Sequence, residues 1–281
     1  MFRYDIGDIP IEMTASDPCI LDSFNSFLSS RIENPDLKIH LNNCTKINKP
    51  EGKILMNEWI TWCQSPYDNE FFIYICEERP DEITYMLNVN NNWNNATITF
   101  LKNKLNSKYI ITGAFGEIVF RNRILFHQGI VIHASAIELE GSGVLFSAPS
   151  ETGKSTHANL WKIHRGAKII NGDRPAVRVK DGIPYVYGTP WSGSSNEFIN
   201  THVPLTAIVM LEQAPQNSIR RLDNHEAVLR LMPRCFLPYY DDKLMDIAID
   251  NLEKIITSTP VYLLKCTPDK EAMELVYHSI F

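Results

Sequence analysis

The sequence lacks the features that define several large classes of protein. Its six cysteines form no C-x-x-C pair, so a zinc site or a redox motif has little support. No uninterrupted apolar run approaches the length that spans a bilayer, and residues 1–8 lack the apolar core of a secretory signal peptide. The net charge of −6 does not indicate a general binder of nucleic acid or membrane surfaces. We therefore expect a cytoplasmic protein with reduced thiols that binds neither nucleic acid nor membrane.

What the chain does contain is typical of a folded protein with two parts. It has 281 residues, of which 44% are hydrophobic, so it can bury a sizeable core. Residues 1–112 hold short apolar or alternating runs separated by polar residues, which predicts a smaller β-rich lobe. The asparagine-rich stretch Asn88–Asn95 is typical of a hairpin loop, and a helix is predicted at about Cys19–Ile32. Residues 113–281 are predicted to form a second, larger domain.

The second part alternates between helix and strand patterns. Asp181-Gly182 is a strong two-residue hairpin signal, and it follows the first strand–helix–strand unit directly. Because this hairpin interrupts a pure βαβ rhythm, the expected fold class is α/β (α+β mixed) with a mixed sheet. The predicted elements are helices at Phe115–His127, Thr156–Arg165, Asp242–Ile256 and Asp269–His278, and strands at Ile130–Leu139, Val144–Ser147, Ala167–Ile170, Pro204–Leu211 and Val261–Lys265.

The most informative stretch is Ser147–Thr156, which lies between an apolar strand and a helix. From Ala148 to Ser155 it reads A-x-x-x-x-G-K-[ST], a phosphate-binding loop with alanine in place of the first glycine. Such a loop turns backbone N–H groups toward phosphate, and the positive end of the helix dipole adds to the attraction. Lys154 is then expected to contact the β- and γ-phosphates, and the Ser155 hydroxyl to hold Mg²⁺. The predicted nucleotide-binding residues are Ser150, Glu151, Thr152, Gly153, Lys154, Ser155 and Thr156.

Phosphoryl transfer also needs a group that orients or deprotonates the acceptor. Asp173 follows the strand after the loop helix, so it is a candidate Mg²⁺ ligand or proton acceptor, with an ordinary turn aspartate as the alternative. His133 lies in an apolar strand, where a buried structural histidine is the competing interpretation. If that strand lies beside the loop strand, His133 is expected near the γ-phosphate. Trp191, in a Gly/Pro/Ser-rich loop, either stacks on a ligand or pins its own loop.

Together these residues carry a resemblance. The order of Gly129-Ile-Val-Ile-His-Ala-Ser135, the phosphate-binding loop and Asp173-Arg174 resembles the catalytic domain of the HPr kinase/phosphorylase family, over roughly residues 125–215. Ala148 replaces the first glycine of that family's loop, and Gly172 replaces the first residue of its Asp-Asp-Arg sequence. Residues 1–112 do not resemble the family's regulatory domain. The chain is more similar to divergent members that accompany modified-peptide biosynthesis.

The resemblance implies a kinase that uses ATP and Mg²⁺ to phosphorylate a hydroxyl, serine above all, of a peptide or small protein such as a ribosomal precursor peptide. It implies Asp173, His133 and Lys154 as catalytic residues, Ser155 and Asp173 as metal ligands, and self-association into a homo-oligomer. Two alternatives stay open. Gly172 favours a nucleotide-binding regulatory module without transfer chemistry, and a pocket under the Trp191 loop would suit a kinase of a small molecule or a nucleotide hydrolase.

Overall fold

The computed structural model of the chain describes all residues except 16–23, 31, 68–69, 78, 81 and 103–108. It divides into two compact units, Met1–Arg123 and Ile124–Phe281. The helix predicted at Cys19–Ile32 lies partly outside the described residues. In the remainder, residues 24–27 form one 3-10 turn, and Leu28 makes a β-bridge with Tyr4. The extended backbone that this bridge requires is incompatible with a helix, so that prediction is wrong for the described part.

The first unit is built on one sheet of eight strands. Its elements are β1 (Phe2–Ile6), β2 (Ile9–Ala15), β3 (Leu37–Cys44), β4 (Lys53–Asn57), β5 (Thr61–Gln64), β6 (Phe71–Ile75), β7 (Tyr85–Val89), β8 (Asn95–Leu101), a π-helical segment Tyr109–Phe115 and α1 (Gly116–Arg123). The strand order is β1-β2-β3-β8-β7-β6-β5-β4. β3 is parallel to both β2 and β8, and the other pairs are antiparallel. The β-rich character and the hairpin loop between β7 and β8 are as predicted.

The second unit alternates strands and helices. Its elements are 3-10 turns at Ile124–His127, Gly193–Ser195 and Met232–Arg234, strands β9 (Gly129–Val131), β10 (Ala134–Leu139), β11 (Ser142–Ser147), β12 (Lys168–Asn171), β13 (Ala176–Lys180), β14 (Ile183–Tyr187), β15 (His202–Gln213), β16 (Ser218–Arg221) and β17 (Val261–Cys266), and helices α2 (Lys154–Arg165), α3 (Asn224–Leu231), α4 (Asp242–Ser258) and α5 (Lys270–Ile280). Within the part of the chain that the structure describes, none of the helices combines the length and apolar character needed to cross a bilayer.

The second sheet is mixed, which confirms the predicted α/β class. Its main path is β12-β10-β11-β15-β14-β13-β9, and β17 joins it between β15 and β16. β15 is parallel to β11 and β17, while the hairpin of β13 and β14 is antiparallel. On one face, α2 and α5 cover a core that contains Phe146 and Trp161, both fully buried. Burial of such large apolar side chains holds α2 against the sheet, and this fixes the start of the helix next to the loop that precedes it.

One predicted strand is two strands. The run Ile130–Leu139 was expected to be continuous, but β9 ends at Val131 and β10 begins at Ala134. β9 pairs with β13, whereas β10 pairs with β11 and β12. A single strand cannot follow both sets of neighbours, so the chain changes direction at Ile132-His133. The apolar pattern continues through the break because both sides are buried, and the sequence therefore carries no sign of it.

A buried histidine lies in the first turn of α2, next to the loop that precedes this helix. His157, on α2, is 3% exposed, and neither of its ring nitrogens has a hydrogen-bond partner among the described residues. Its ring packs edge-on against Phe146, with 4.7 Å between the ring centroids. Burial, opposed weakly by the charge of Asp269, lowers the pKa of His157 to about 4. The neutral imidazole is therefore part of the core.

This burial predicts a pH-dependent stability. The unfolded chain protonates His157 near its ordinary pKa, about 6.5, while the folded chain resists protonation until about pH 4. The free energy of unfolding should therefore fall as pH decreases through this window, by about 3 kcal/mol from this group, and the loss should be complete below it. His157→Leu should remove that slope in chemical denaturation at several pH values. The matched control is His164→Leu, an exposed histidine of the same helix, which should keep the wild-type slope.

Candidate functional site

The loop between β11 and α2 has the backbone of a tight, concave turn. Glu151 and Gly153 both adopt left-handed conformations, with φ angles of 65° and 109°. The angle at Gly153 lies where side chains other than hydrogen are strained, so glycine is required there. Gly153 is the N-cap of α2, and no side chain caps the helix. The loop thus reverses the chain from the sheet into the helix within six residues.

The amides at this turn are open to a ligand. Among the described residues, the amides of Gly153 to Thr156 donate no loop or turn hydrogen bond, and the first bond of α2 runs from His157 N to Gly153 O. The first N–H groups of a helix have no acceptor within the helix itself. With the helix dipole behind them, they favour an anion. Ser150, Glu151, Ser155 and Thr156 are exposed at the mouth of the turn, and Thr152 and Gly153 are half-buried.

Lys154 is the buried cation of the loop. Its ammonium donates to the carbonyl oxygens of Ala148 and Pro149, both at 3.3 Å. Bonds of this length are slightly longer than the normal range for N–H···O bonds. Burial lowers the pKa of Lys154 and the charge of Arg234 lowers it further, whereas Asp173 opposes the shift. A cation held by two long bonds is well placed to exchange those carbonyls for a phosphate oxygen.

His133 and Asp173 meet beside the loop. His133 Nε2 lies 3.2 Å from Asp173 Oδ1, so the imidazole donates to the carboxylate. The break between β9 and β10 positions the histidine: His133 N donates to Arg234 O at 2.7 Å, and Ser147 Oγ donates to His133 O at 2.9 Å. The Asp173 carbonyl accepts from Ala134 N at 3.0 Å. The backbone therefore fixes both partners on the side of the sheet where the loop begins.

The electrostatic surroundings keep Asp173 ionised. Burial alone raises the pKa of its carboxyl group. The hydrogen bond from His133 and the positive charges of Arg174, His133 and Lys154 together outweigh burial and lower the pKa. Arg174 Nε lies 3.1 Å from Asp173 Oδ2, on the other oxygen of the carboxylate. Asp173 is thus a carboxylate at neutral pH with a histidine on one oxygen and an arginine on the other.

A buried asparagine holds the turn that presents Asp173. Asn171 Oδ1 accepts from the backbone N–H groups of Asp173 and Arg174, at 2.9 and 2.7 Å. Its amide nitrogen donates to Thr189 O at 2.9 Å and to Trp191 O at 3.2 Å. Trp191 is only 8% exposed, which favours the pinned-loop interpretation over stacking on a ligand. One fully buried side chain therefore ties the Asp173 turn to the loop that carries Trp191.

The same loop explains why residue 172 is glycine. A Cβ added at Gly172 would lie 2.0 Å from Ser195 Oγ, closer than any side-chain contact allows. The Ser195 hydroxyl is itself fixed, because it donates to Ser192 O at 2.6 Å and accepts from Glu197 N at 3.3 Å. Lys162 Nζ also contacts Glu197 Oε1 at 2.6 Å, which ties this loop to α2. A hydroxyl therefore fills the space in which a second acidic side chain would have to begin.

Arg234 is the site residue that the sequence patterns did not indicate. It ends the 3-10 turn after α3, its carbonyl accepts from His133 N, and its charge acts on Lys154. Its side chain is half-buried, and among the described residues its guanidinium forms no hydrogen bond or ion pair. Arg234 is distant from the loop in sequence and belongs to no motif. The pairing of Ile132 with Cys235 and the bond from His133 N to Arg234 O bring it to the site.

A cleft opens beside the loop. It has a volume of about 460 Å³ and is lined by Pro149, Ser150, Glu151, Thr152, Leu211, Glu212, Gln213 and Arg230. Gln213 Nε2 donates to Thr152 O at 3.4 Å, which connects the end of β15 to the loop. Among the described residues, no group of three or more His, Cys, Asp or Glu side chains is arranged to hold a metal ion.

Comparison with known proteins adds little to this geometry. No family model matches the chain, and no curated protein matches it. Among solved structures, the HPr(Ser) kinase/phosphatase from Coxiella burnetii is similar, with a TM-score of 0.33 and 12% sequence identity. The match covers 53% of this chain and 95% of that chain. A likeness at this level supports no inference about function, which therefore depends on the site itself.

The contact between Gly172 and Ser195 can be tested by paired substitutions. Gly172→Ala should lower the free energy of unfolding by roughly 1–3 kcal/mol, since the new methyl group would overlap the Ser195 hydroxyl. Adding Ser195→Gly should recover most of that loss, because it removes the overlapping atoms. Ser195→Gly alone is the control for the loss of its own hydrogen bonds. If the double variant shows strictly additive losses in chemical denaturation, the described packing is wrong.

Proposed function

We propose that this protein is an ATP- and Mg²⁺-dependent kinase that transfers the γ-phosphoryl group to a hydroxyl, serine above all, of a peptide or small protein. The observation that carries the proposal is the juxtaposition of three groups. The His133–Asp173 pair lies where the phosphate-binding loop begins, and Asp173 and Lys154 act on each other electrostatically. A precursor peptide made on the ribosome is an acceptor of the proposed class.

The loop and Lys154 would bind ATP, the phosphoryl donor. The open amides at the start of α2 suit the terminal phosphates, and Lys154 suits the charge between the β- and γ-phosphoryl groups. The cleft beside Ser150–Thr152 is large enough for the rest of a nucleotide. Arg234, whose charge acts on Lys154, adds a second cation for the phosphoryl group in transfer. These residues would act by binding and by charge, and no covalent intermediate on the protein is required.

Asp173 would act on the acceptor hydroxyl. A carboxylate with a lowered pKa is a weak base, so it is best suited to accept a hydrogen bond from the hydroxyl and take its proton late in the transfer. The hydrogen bond from His133 fixes the orientation of the carboxylate. The imidazole also adds a hydrogen-bond donor beside the reacting groups. Asp173 and His133 would therefore act by positioning the acceptor hydroxyl and by stabilising charge on the reacting groups.

The oxygen donors fit magnesium. Mg²⁺ is usually held through one or two carboxylates together with substrate phosphates and water, not by an all-protein cage. The exposed Ser155 hydroxyl and the Asp173 carboxylate would supply protein oxygens of that kind. When bound, Mg²⁺ neutralises charge on the β- and γ-phosphates.

One observation favours a different class of protein, a nucleotide-binding module without transfer activity. Ser195 fills the space beside Gly172, so this turn presents a single carboxylate. A nucleotide-binding module that has lost transfer chemistry would also keep the loop and Lys154. Incubation with ATP labelled at the γ-phosphate and a library of serine-containing peptides separates the possibilities. Label on peptides supports the proposed kinase, label on a small molecule supports a small-molecule kinase, and label that stays on ATP supports the binding module.

Substitution of the loop lysine gives the first test. Lys154→Ala should reduce transfer by at least about 10²-fold, because the charge on the phosphoryl group loses its buried cation. The fold should persist, since removal of a buried ammonium leaves no unpaired charge. Lys243→Ala, on the exposed face of α4, is the matched control and should retain full activity. Unchanged transfer by Lys154→Ala would exclude the assigned role.

Asp173→Asn should separate binding from turnover. The amide keeps the shape of the side chain but cannot take a proton, so kcat should fall by about 10²- to 10⁴-fold. The Kd for nucleotide measured without Mg²⁺ should change little, because the loop amides and Lys154 remain. Calorimetry and single-turnover kinetics measure the two quantities, with Asp250→Asn on α4 as the control. Loss of nucleotide affinity in proportion to kcat would instead indicate a structural role for Asp173.

A further inference from the structure

The loop that follows β14 approaches the proposed catalytic acid. A Cβ added at Gly193 would lie 2.5 Å from Asp173 Oδ2, so the backbone at this position is packed against the carboxylate. Trp191, buried two residues earlier, and its bond to Asn171 hold the base of the loop. Gly193 and Asn196 both have left-handed backbones, with φ angles of 58° and 53°. The chain therefore turns back on itself next to Asp173.

This turn carries three serines that differ in the state of their hydroxyl groups. Ser192 is 5% exposed and belongs to the buried base of the loop. The Ser195 hydroxyl is engaged with Ser192 O and Glu197 N. Ser194 is exposed, and among the described residues its hydroxyl forms no hydrogen bond. Consecutive Cα atoms are about 3.8 Å apart, so Ser194 is one residue from the backbone that packs against Asp173.

We propose that Ser194 is a phosphorylation site of this protein's own kinase activity. The proposal rests on the proposed function and identifies an acceptor for it within the chain. Ser194 carries a hydroxyl that forms no hydrogen bond among the described residues, and it directly follows the residue whose backbone packs against the acid. A serine next to that contact needs only a local movement of its loop to reach the acid, and an acceptor on the same chain has a high effective concentration.

The step is an ordinary phosphoryl transfer. The Ser194 Oγ–P bond forms, the bond between the γ-phosphorus and the β–γ bridging oxygen breaks, and ADP leaves. The hydroxyl proton passes to the Asp173 carboxylate and then to water. The product places a charge of about −1.5 to −2 beside Asp173. Repulsion between the two anions is expected to move the loop away from the acid, which frees that position for an external acceptor.

The test measures two quantities on the full-length protein incubated with Mg²⁺ and ATP alone. One is the formation of ADP, and the other is the position of any new phosphate, mapped by mass spectrometry. We expect one phosphate on Ser194, formed at a rate per molecule that does not depend on protein concentration. Ser194→Ala should abolish that incorporation while leaving ATP affinity unchanged. Ser195→Ala, the neighbouring serine with an engaged hydroxyl, should retain it.

The other outcomes identify which proposal fails. Transfer to an added peptide with no phosphate on Ser194 would overturn the internal acceptor and leave the kinase assignment standing. Phosphate on a different residue, or incorporation that persists in Ser194→Ala, would also overturn it. Absence of ADP formation with every acceptor offered would instead remove the kinase itself, and the internal acceptor with it.

Discussion

The buried amide of Asn171 is the interaction on which the candidate site depends. Its oxygen accepts two backbone N–H groups from the turn at Asp173, and its nitrogen donates to the loop at Thr189 and Trp191. An amide buried without these partners would be costly, so the two segments are stable only when they are together. A carboxylate is consequently presented by a rigid turn, although loops surround it. Precise positioning of this kind is what transfer chemistry requires.

The site carries more positive than negative charge, which bears on how a ligand would bind. Asp173 faces His133 on one oxygen and Arg174 on the other, while Lys154 contacts loop carbonyls and Arg234 adds charge nearby. The charge of Arg234 helps to lower the pKa of Lys154, and an anion near both cations would relieve that repulsion. The site is therefore short of negative charge. In the proposed function, a polyphosphate would supply that charge at the loop amides.

Most of the fold could be predicted from the sequence because periodic patterns and turn residues are local. The helix after the loop, the Asp181-Gly182 hairpin and the mixed sheet are present as expected. The break at Ile132-His133 could not be predicted, since both strands are buried and the apolar pattern runs through it. The same limit applies to Arg234, which reaches the site through a β-bridge and a backbone hydrogen bond. Its role depends on long-range pairing that no local pattern encodes.

The glycine at position 172 and the serine-rich loop are two aspects of one physical arrangement. A side chain at 172 and a hydroxyl at 195 cannot occupy the same space. Because the loop packs closely against the turn, the turn can carry only one acidic side chain, that of Asp173. That close packing also brings the backbone of Gly193, the residue before Ser194, against Asp173. The absence of an acidic side chain at 172 therefore accompanies the packing of the Gly193 backbone against Asp173. An ionised and oriented carboxylate in this position supports the proposed transfer to a hydroxyl over the alternative of nucleotide binding alone, because binding alone would not require an acid beside the proposed phosphate site.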